Sequence, residues 1–456
     1  MILKSDSSKH LKPRGFPDRF IPRRDVTDFE CSYHIIDYEE ESSSLSQNSS
    51  VTIDEDAVFL NTAKNKYNAQ KYRNELREVL FPSQNRVLQF STPRKLKKYF
   101  DVSTDVWPVE ARSKPLLGAP STVLDMPDLD THLCHQVVDW GKKGYIAATY
   151  DGEVHLWHPE QKVSRRVTNT GRKVKNCIKW NKEGTHFAMA LRNREIAIWD
   201  FESFKTTAQA VCRCSLNCTI TAIEWAANNF LITGCSNGCV CYWSSNLTCI
   251  KTCPSAHCKD IISIKLSCKE RGMVSTGIDK QVKTWIWPDF LPNADMEYNG
   301  PTKAVDWHPW RDSLLAVGGP IYSTIWNVNT GKIISFREHP HSNSSVDCLS
   351  FNPVSAELVV TYWSLKENGG SENYISVLKN LDSVVDEIRY NNGRVPYLLW
   401  DCTGTKLATA SSDENLCIWD FFGTSSKLEK KYLKTKKKTF TMNMFSNLYA
   451  FGDSIR

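Results

Sequence analysis

Tryptophan recurs along this chain with a period of about 42 residues. One series, with gaps of 42, 44, 42, 41 and 93 residues, comprises Trp157, Trp199, Trp243, Trp285, Trp326 and Trp419. Leu378 divides the gap of 93 residues into 52 and 41, so the repeat has seven members. A repeat of this length with several short strands is typical of a propeller blade, whose small sheet is buried only against its neighbours.

A second series supports the same repeat. Its gaps are 40 to 49 residues, and its members are Trp140, Trp180, Trp225, Leu266, Trp307, Phe351 and Trp400. Eleven of the 15 Trp residues thus occupy two positions of one repeat. Apolar or alternating runs such as VVDW, YIAATY and EVHLW are separated by turn residues, which predicts an antiparallel meander. The sequence therefore predicts an all-β fold, a seven-bladed propeller over residues 120–422.

The repeat resembles the WD-repeat family. The dipeptide that names this family stands at Trp199-Asp200 and at Trp419-Asp420, and the His–Asp pair of its blades is present as His257 and Asp279. The segment TVLDMPD, residues 122–128, precedes the first blade, and we expect it to close the ring by pairing with the last one. The insertion SLKENGGSEN is expected between two strands of the sixth blade.

The charge of the chain is concentrated in one segment. The net charge is +6, and residues 427–438 contain seven Lys and one Glu, so the rest of the chain is electroneutral. A nucleic-acid-binding surface on the propeller is therefore not indicated, although the Lys run leaves open nuclear import or RNA contact beside a solvated linker. No run of about 18 apolar residues occurs, so we expect no membrane association and a cytoplasmic or nuclear location.

The segments outside the propeller are polar. Residues 1–110 and 423–456 are predicted to be largely disordered arms, because their composition cannot build a core. A short amphipathic helix is predicted over about residues 62–80, where Tyr72, Leu76 and Leu80 are four residues apart.

Two motifs in these arms carry a more specific resemblance. Asp18-Arg19-Phe20-Ile21-Pro22 is similar to the C-box of the fizzy and fizzy-related activators of the anaphase-promoting complex, and Ile455-Arg456 is similar to the Ile-Arg tail of that family. The likeness is greatest to its Cortex-like branch. It implies a non-catalytic protein of the cell cycle or meiosis that docks to subunits of this ubiquitin ligase and recruits degron-containing substrates such as cyclins.

The resemblance also assigns a destruction-box site on the propeller. It implies that Leu124 and Trp157 form an apolar slot and that Asp125 and Glu414 hold the Arg of the Arg-x-x-Leu peptide. Two carboxylates facing one guanidinium suit that role. The other reading of Asp125 and Glu414, as solvated turn residues, stays open at this point.

The resemblance implies a second pocket, which binds Lys-Glu-Asn peptides. Arg394 is the one residue of this chain that matches the family pattern of that pocket. Other positions of this pocket depart from the family pattern: His132, Leu133, Ile278, Lys280 and Glu372. We therefore predict a weakened or altered Lys-Glu-Asn site. The insertion itself contains Lys366-Glu367-Asn368, which is either a degron or a chance tripeptide.

Thr92 is a candidate phosphorylation site. Thr92-Pro93-Arg94-Lys95 fits the proline-directed consensus of cyclin-dependent kinases. A phosphate beside these basic residues would alter the docking of the arm through its charge.

The remaining motifs predict neither a metal site nor an enzyme. Ten of the 16 Cys lie between residues 212 and 268, but no Cys-x-x-Cys pair occurs, so we expect small buried thiols, no metal and no cofactor. The sequence Gly234-Cys235-Ser236-Asn237-Gly238 matches a hydrolase nucleophile pattern, yet a strand follows it, which predicts a hairpin turn. The alternatives to an activator are a WD-repeat scaffold of another pathway and a relative that competes with true activators.

Overall fold

The computed structural model describes residues 55–80, 107–150, 152–167, 174–191, 194–339, 344–365, 371–389 and 393–423. Several features of the sequence lie outside these residues, namely the C-box at 18–22, Thr92, the tripeptide at 366–368, the Lys run at 427–438 and the Ile455-Arg456 tail.

Within the described residues, 28 strands form seven four-stranded antiparallel sheets, so the predicted propeller is confirmed. Blade 1 contains β2 (Val138–Trp140), β3 (Ile146–Tyr150), β4 (Glu153–His158) and β5 (Val163–Val167). Blade 2 contains β6 (Val174–Trp180), β7 (His186–Leu191), β8 (Glu195–Asp200) and β9 (Lys205–Val211). Blade 3 contains β10 (Ile220–Trp225), β11 (Leu231–Cys235), β12 (Val240–Trp243) and β13 (Cys249–Cys253).

The second half of the ring follows the same order. Blade 4 contains β14 (Ile261–Leu266), β15 (Gly272–Gly277), β16 (Gln281–Ile286) and β17 (Leu291–Glu297). Blade 5 contains β18 (Val305–Trp307), β19 (Leu314–Gly318), β20 (Tyr322–Asn327) and β21 (Lys332–Glu338). Blade 6 contains β22 (Ser344–Phe351), β23 (Leu358–Leu365), β24 (Ser371–Asn380) and β25 (Ser383–Ile388). Blade 7 contains β26 (Tyr397–Trp400), β27 (Lys406–Ala410), β28 (Asn415–Asp420) and, from the start of the propeller, β1 (Thr122–Asp125).

The first strand closes the ring, as the sequence predicts. β1 pairs antiparallel with β28, from Thr122 opposite Ile418 to Asp125 opposite Asn415. Segment 122–128 thereby supplies the outer strand of blade 7. The insertion in blade 6 differs from expectation, because its ends extend β23 and β24 to 8 and 10 residues instead of forming only a loop.

Each tryptophan series marks one strand of the blade. The first series lies on the third strand, where the indole N–H of Trp243, Trp285 and Trp419 donates to a hydroxyl ten residues earlier, at 2.9 to 3.0 Å. A buried indole N–H needs such a partner. In blades 3, 4 and 7 the same hydrogen bond therefore fixes this position of the repeat.

The second series lies on the inner strand and links neighbouring blades. The indole N–H of Trp225 donates to the carbonyl oxygen of Lys179 in the preceding blade at 3.0 Å, and that of Trp307 donates to Lys265 in the same way at 3.1 Å. Each such bond contributes about 1 kcal/mol beyond the burial of the ring. The blades are thus held together by polar contacts as well as by their apolar faces.

The chain just before the propeller also packs against it. The propeller was expected to begin at about residue 120, but Trp107 is buried in the core between blades 5 and 6 and donates to the carbonyl of Ala356 at 3.3 Å. Arg112, farther along the same segment, is buried against Glu357. This segment therefore covers part of the ring. Its packing could not be predicted from the periodicity of strands in the sequence.

A helix lies on the side of blade 5. Helix α1 spans Glu55–Leu80, so it begins earlier than the predicted residue 62. Of the predicted apolar positions, Tyr72 is 65% exposed, whereas Leu76 is half-buried. Ala63 and Tyr67 pack against the core of blade 5, with the ring of Tyr67 stacked on Phe336 at 5.8 Å. No helix in the described part of the chain has the length and apolarity needed to span a membrane.

Candidate peptide-binding groove

The candidate peptide-binding groove is the junction between blades 1 and 7, which is bordered by β1. This strand is the outer edge of blade 7, and its side chains alternate between half-buried and exposed along Thr122–Asp125. Leu124 is half-buried, whereas Val123 and Asp125 are exposed. One strand therefore offers an apolar side chain to the groove and a carboxylate to the solvent beside it.

The structure brings the two predicted slot residues to the same apolar cluster. Leu124 and Trp157 are partly buried and pack against the core formed between blade 7 and blade 1. Trp157 stands on β4, opposite Ile146 of the neighbouring strand. Met126 and Trp140 pack against the same core and are also only partly buried. The result is an apolar surface that a Leu side chain could cover.

The two predicted acidic residues are neighbours across the closing strand pair. Asp125 lies opposite Asn415, and the next N–H, that of Met126, donates to the carbonyl of Glu414 at 2.7 Å. Both carboxylates are exposed, and within the described residues neither forms a salt bridge. Two unneutralised carboxylates at one edge provide an attractive site for a cation.

A tight turn fixes the position of Glu414. Its φ is +65°, and its N–H donates to the carbonyl of Ser411 at 3.0 Å. A non-glycine residue in this left-handed region carries about 1 kcal/mol of backbone strain. The carboxylate also accepts the N–H of Asp128 at 3.3 Å, which directs it toward the end of β1.

Arg394 lines a cavity of about 260 Å³, and none of these four residues contributes to its lining. Its guanidinium donates to Asp347 Oδ1, with Nε at 3.0 Å, and stacks over the ring of Trp363 at 4.8 Å. Burial raises the pKa of Asp347, and the hydrogen bond from Arg394 acts against that shift. Arg394 is therefore already engaged by a carboxylate of the protein itself.

Lys303 is a further cationic residue of this cavity that the sequence did not reveal. Its ammonium group lies 4.1 Å from the ring centre of Tyr397 and donates to the carbonyl oxygen of His135. Desolvation lowers the pKa of Lys303 to about 8. The cavity is thus lined by two basic side chains and by the carboxylate of Asp347, which is paired with Arg394.

The chain is similar to known proteins over most of its length. It is 27% identical to Protein cortex of Biston betularia over 85% of this chain and 91% of that protein. It is 25% identical to the cell division cycle 20.4 protein of Arabidopsis thaliana, a cofactor of APC complex, over 94% and 95% of the two chains. A chain of the crystal structure of a mitotic checkpoint complex shares the fold, with a TM-score of 0.59, 23% identity and coverage of 74% of this chain and 99% of that one. No protein-family profile matches.

Proposed function

Because the chain belongs to the Cortex-like branch of the fizzy family of WD-repeat proteins, we propose that it is a substrate-recruiting activator of the anaphase-promoting complex. In this proposal the propeller binds destruction-box peptides and performs no catalysis. The C-box at residues 18–22 and the Ile455-Arg456 tail dock to subunits of the ligase in the cytoplasm or nucleus. Cyclins are the expected class of substrate.

The observation that carries the proposal is the pairing of β1 with β28. This pairing brings the backbone of Asp125 next to that of Glu414, and both residues have exposed side chains near the partly buried Leu124 and Trp157. An Arg-x-x-Leu peptide has the complementary groups, a guanidinium and an apolar side chain three residues apart. A charge-assisted hydrogen bond to a guanidinium contributes about 1.5 to 3 kcal/mol.

The groove is tested by fluorescence-polarisation binding of a labelled destruction-box peptide to the purified protein. We expect Asp125→Asn and Glu414→Gln each to weaken binding by roughly tenfold to a hundredfold, and Leu124→Ala to weaken it comparably. The control is Glu202→Gln, an exposed carboxylate on blade 2 that pairs with Lys143. Unchanged affinity in all three groove variants would contradict the proposed site.

Docking to the ligase is tested by recovery of ligase subunits with tagged full-length protein. Deletion of residues 18–22 and removal of Ile455-Arg456 should each reduce recovery, because two weak anchors act together through avidity. A deletion of residues 42–46, in the same arm, is the matched control. Recovery of unrelated partners in place of ligase subunits would support the rival role as a scaffold of another pathway.

Activation is distinguished from competition in a reconstituted ubiquitination reaction. An activator increases modification of a destruction-box substrate when it is added to the ligase alone. A competitor lowers the modification produced by another activator and supports none by itself. The internal engagement of Arg394 by Asp347, which would weaken the Lys-Glu-Asn pocket, is the observation that leaves competition open as the alternative.

A further inference from the structure

Four cysteines converge at the junction of blades 2 and 3. Their sulfur atoms all lie within 4.8 Å of one another, and the residues are Cys212, Cys214, Cys218 and Cys235. The first three lie in the connection between β9 and β10, and the fourth ends β11, just before the turn to β12. The sequence suggested separate thiols in apolar packing, and the structure instead gathers four at one point.

The distances suit a tetrahedral metal centre. Sγ of Cys214 lies 3.3 Å from Sγ of Cys212 and 3.3 Å from Sγ of Cys235. A Zn–S bond of about 2.3 Å in tetrahedral geometry separates the sulfur atoms by about 3.8 Å. Shifts of several tenths of an ångström would therefore admit the ion. All cysteines of the described residues are free thiols, and 3.3 Å exceeds the length of a disulfide bond, which is about 2.05 Å.

The surroundings favour a metal over four separate thiols. Cys212, Cys218 and Cys235 are buried, while Cys214 is partly exposed beside Leu216, which is 82% exposed. The site therefore lies just beneath the surface, where an ion can reach it. Arg194 donates to the carbonyl of Ser215 in the same connection at 3.0 Å, so one cation is already held near the charge that bound thiolates would carry.

In blade 4, the connection and the turn that correspond to the cysteine cluster are joined by hydrogen bonds between side chains. There His257, in the connection before β14, bonds to Asp279 of the β15–β16 turn at 3.0 Å and to Ser275 at 2.8 Å. This pair ties the connection between two blades to the turn of the second blade. The corresponding link is built from different atoms in blade 3.

The correspondence in blade 3 follows from the register. His257 lies 28 residues before Trp285, and the residue 28 before Trp243 is Ser215, between Cys214 and Cys218. Asn237 stands where blade 4 has Asp279, so the His–Asp pair is absent from this blade. Sulfur atoms from the same connection and from the end of β11, next to the same turn, meet there instead.

We propose that Cys212, Cys214, Cys218 and Cys235 bind one Zn²⁺ ion, which fastens the connection between blades 2 and 3 to the β11–β12 turn. Thiolate ligands in tetrahedral arrangement select zinc among the metals available to a protein in a reducing compartment. The ion takes the place of the His–Asp link of blade 4. The site lies on blades 2 and 3, whereas the proposed peptide groove lies between blades 1 and 7, so the two can fail independently.

The first test is the metal content of the full-length protein, purified without chelators and without a metal-affinity step, by inductively coupled plasma mass spectrometry. We expect about one zinc ion per chain in the wild-type protein. Cys214→Ser and Cys218→Ser should each lose most of this zinc, whereas Cys249→Ser, an exposed cysteine of β13, should retain it. Circular dichroism and binding of the destruction-box peptide verify that each variant is folded.

The second test uses the wild-type protein alone, so it does not depend on how a variant folds. Removal of zinc by a chelator should lower the melting temperature and make four additional thiols reactive toward a thiol reagent. A folded wild-type protein without zinc, or variants that keep stoichiometric zinc, would overturn the proposal. A disulfide among the four cysteines in the metal-free protein, or iron or copper in place of zinc, would also overturn it.

Discussion

Arg112 and Glu357 form a buried ion pair, with Nε of Arg112 3.1 Å from Oε1 of Glu357 and side-chain exposures of 1% and 0%. The same guanidinium donates to the carbonyl oxygen of Phe421 at 2.8 Å and lies 3.9 Å from the centre of its ring. Arg112 precedes the propeller, Glu357 belongs to blade 6, and Phe421 follows the last strand of blade 7. One side chain thus joins the two ends of the propeller to its sixth blade.

We expect Arg112→Ala to lower the free energy of unfolding by about 3 to 5 kcal/mol, because it leaves a buried carboxylate without its partner. Chemical denaturation followed by tryptophan fluorescence measures this loss. The matched control is Arg389→Ala, whose exposed pair with Glu387 should contribute less than about 1 kcal/mol. A loss below about 1 kcal/mol in Arg112→Ala would show that water replaces the guanidinium at little cost.

Docking of helix α1 depends on one aromatic contact. We expect Tyr67→Ala to release the helix from blade 5, because it removes the stacking on Phe336 and the packing of the Tyr67 ring against the core of that blade. Hydrogen–deuterium exchange of residues 55–80 should then accelerate, while exchange of β21 changes little.

Two controls accompany that experiment. Tyr72→Ala removes an exposed ring from the same helix and should leave exchange unchanged. Lys64→Ala breaks the pair with Glu338, at 2.6 Å and about half exposed, and should have an effect well below that of Tyr67→Ala. Equal effects of Tyr67→Ala and Tyr72→Ala would contradict the docking face.

The repeat was predictable because its signal is local and recurs. Trp243 and its hydroxyl partner are separated by ten residues, and the same spacing returns in blade 4 and blade 7. Closure by β1 was predictable for a related reason, since a strand before the first blade has an unpaired neighbour only in the last one. Once the register of β1 and β28 is known, Asp125 and Glu414 are expected to be neighbours at the end of this strand pair.

Contacts between distant segments were not predictable in this way. Arg112 stands in a segment without strand periodicity, and its partner Glu357 lies 245 residues away. The docking face of α1 is determined by contact with Phe336, which is even farther from Tyr67 in the sequence, at a separation of 269 residues. The cysteine cluster was not predicted because no Cys-x-x-Cys pair marks it and because Cys235 joins the other three from the end of β11.

Buried histidines should make the fold sensitive to mild acid. Burial lowers the pKa of His308 to about 4, while its Nε2–H donates to Pro108 at 2.7 Å and its Nδ1 accepts the N–H of Trp310. The His308 ring therefore stays neutral in the folded protein at pH values where the same residue is protonated in the unfolded chain. In the unfolded chain its pKa is about 6.5. The contribution of this group to stability is complete above pH 6.5 and is lost as the pH falls toward 4.

The expected loss from His308 between pH 7 and pH 5 is about 2 kcal/mol. Denaturant unfolding at both pH values should show a smaller acid loss in His308→Gln than in the wild-type protein. His132→Gln, at an exposed position, serves as the control. Equal acid losses in His308→Gln and the wild-type protein would show that other groups determine the acid sensitivity.

Release of Arg394 should strengthen recognition of Lys-Glu-Asn peptides. Asp347 is buried, and among the described residues its Oδ2 has no hydrogen-bond partner, so this carboxylate is held mainly by Arg394. Asp347→Asn keeps the size of the side chain and removes its charge, which leaves the guanidinium available to a peptide carboxylate. We expect the affinity for a Lys-Glu-Asn peptide to rise by about tenfold, or about 1.4 kcal/mol, measured by fluorescence polarisation.

The destruction-box peptide provides the internal comparison for that experiment. Its affinity should stay the same in Asp347→Asn, because Asp125 and Glu414 lie in the other groove. Glu387→Gln, which removes an exposed carboxylate paired with Arg389, is the matched control and should change neither affinity. In the wild-type protein the destruction-box peptide should bind more tightly than the Lys-Glu-Asn peptide. Equal wild-type affinities, or no gain in Asp347→Asn, would mean that Asp347 does not limit the second pocket.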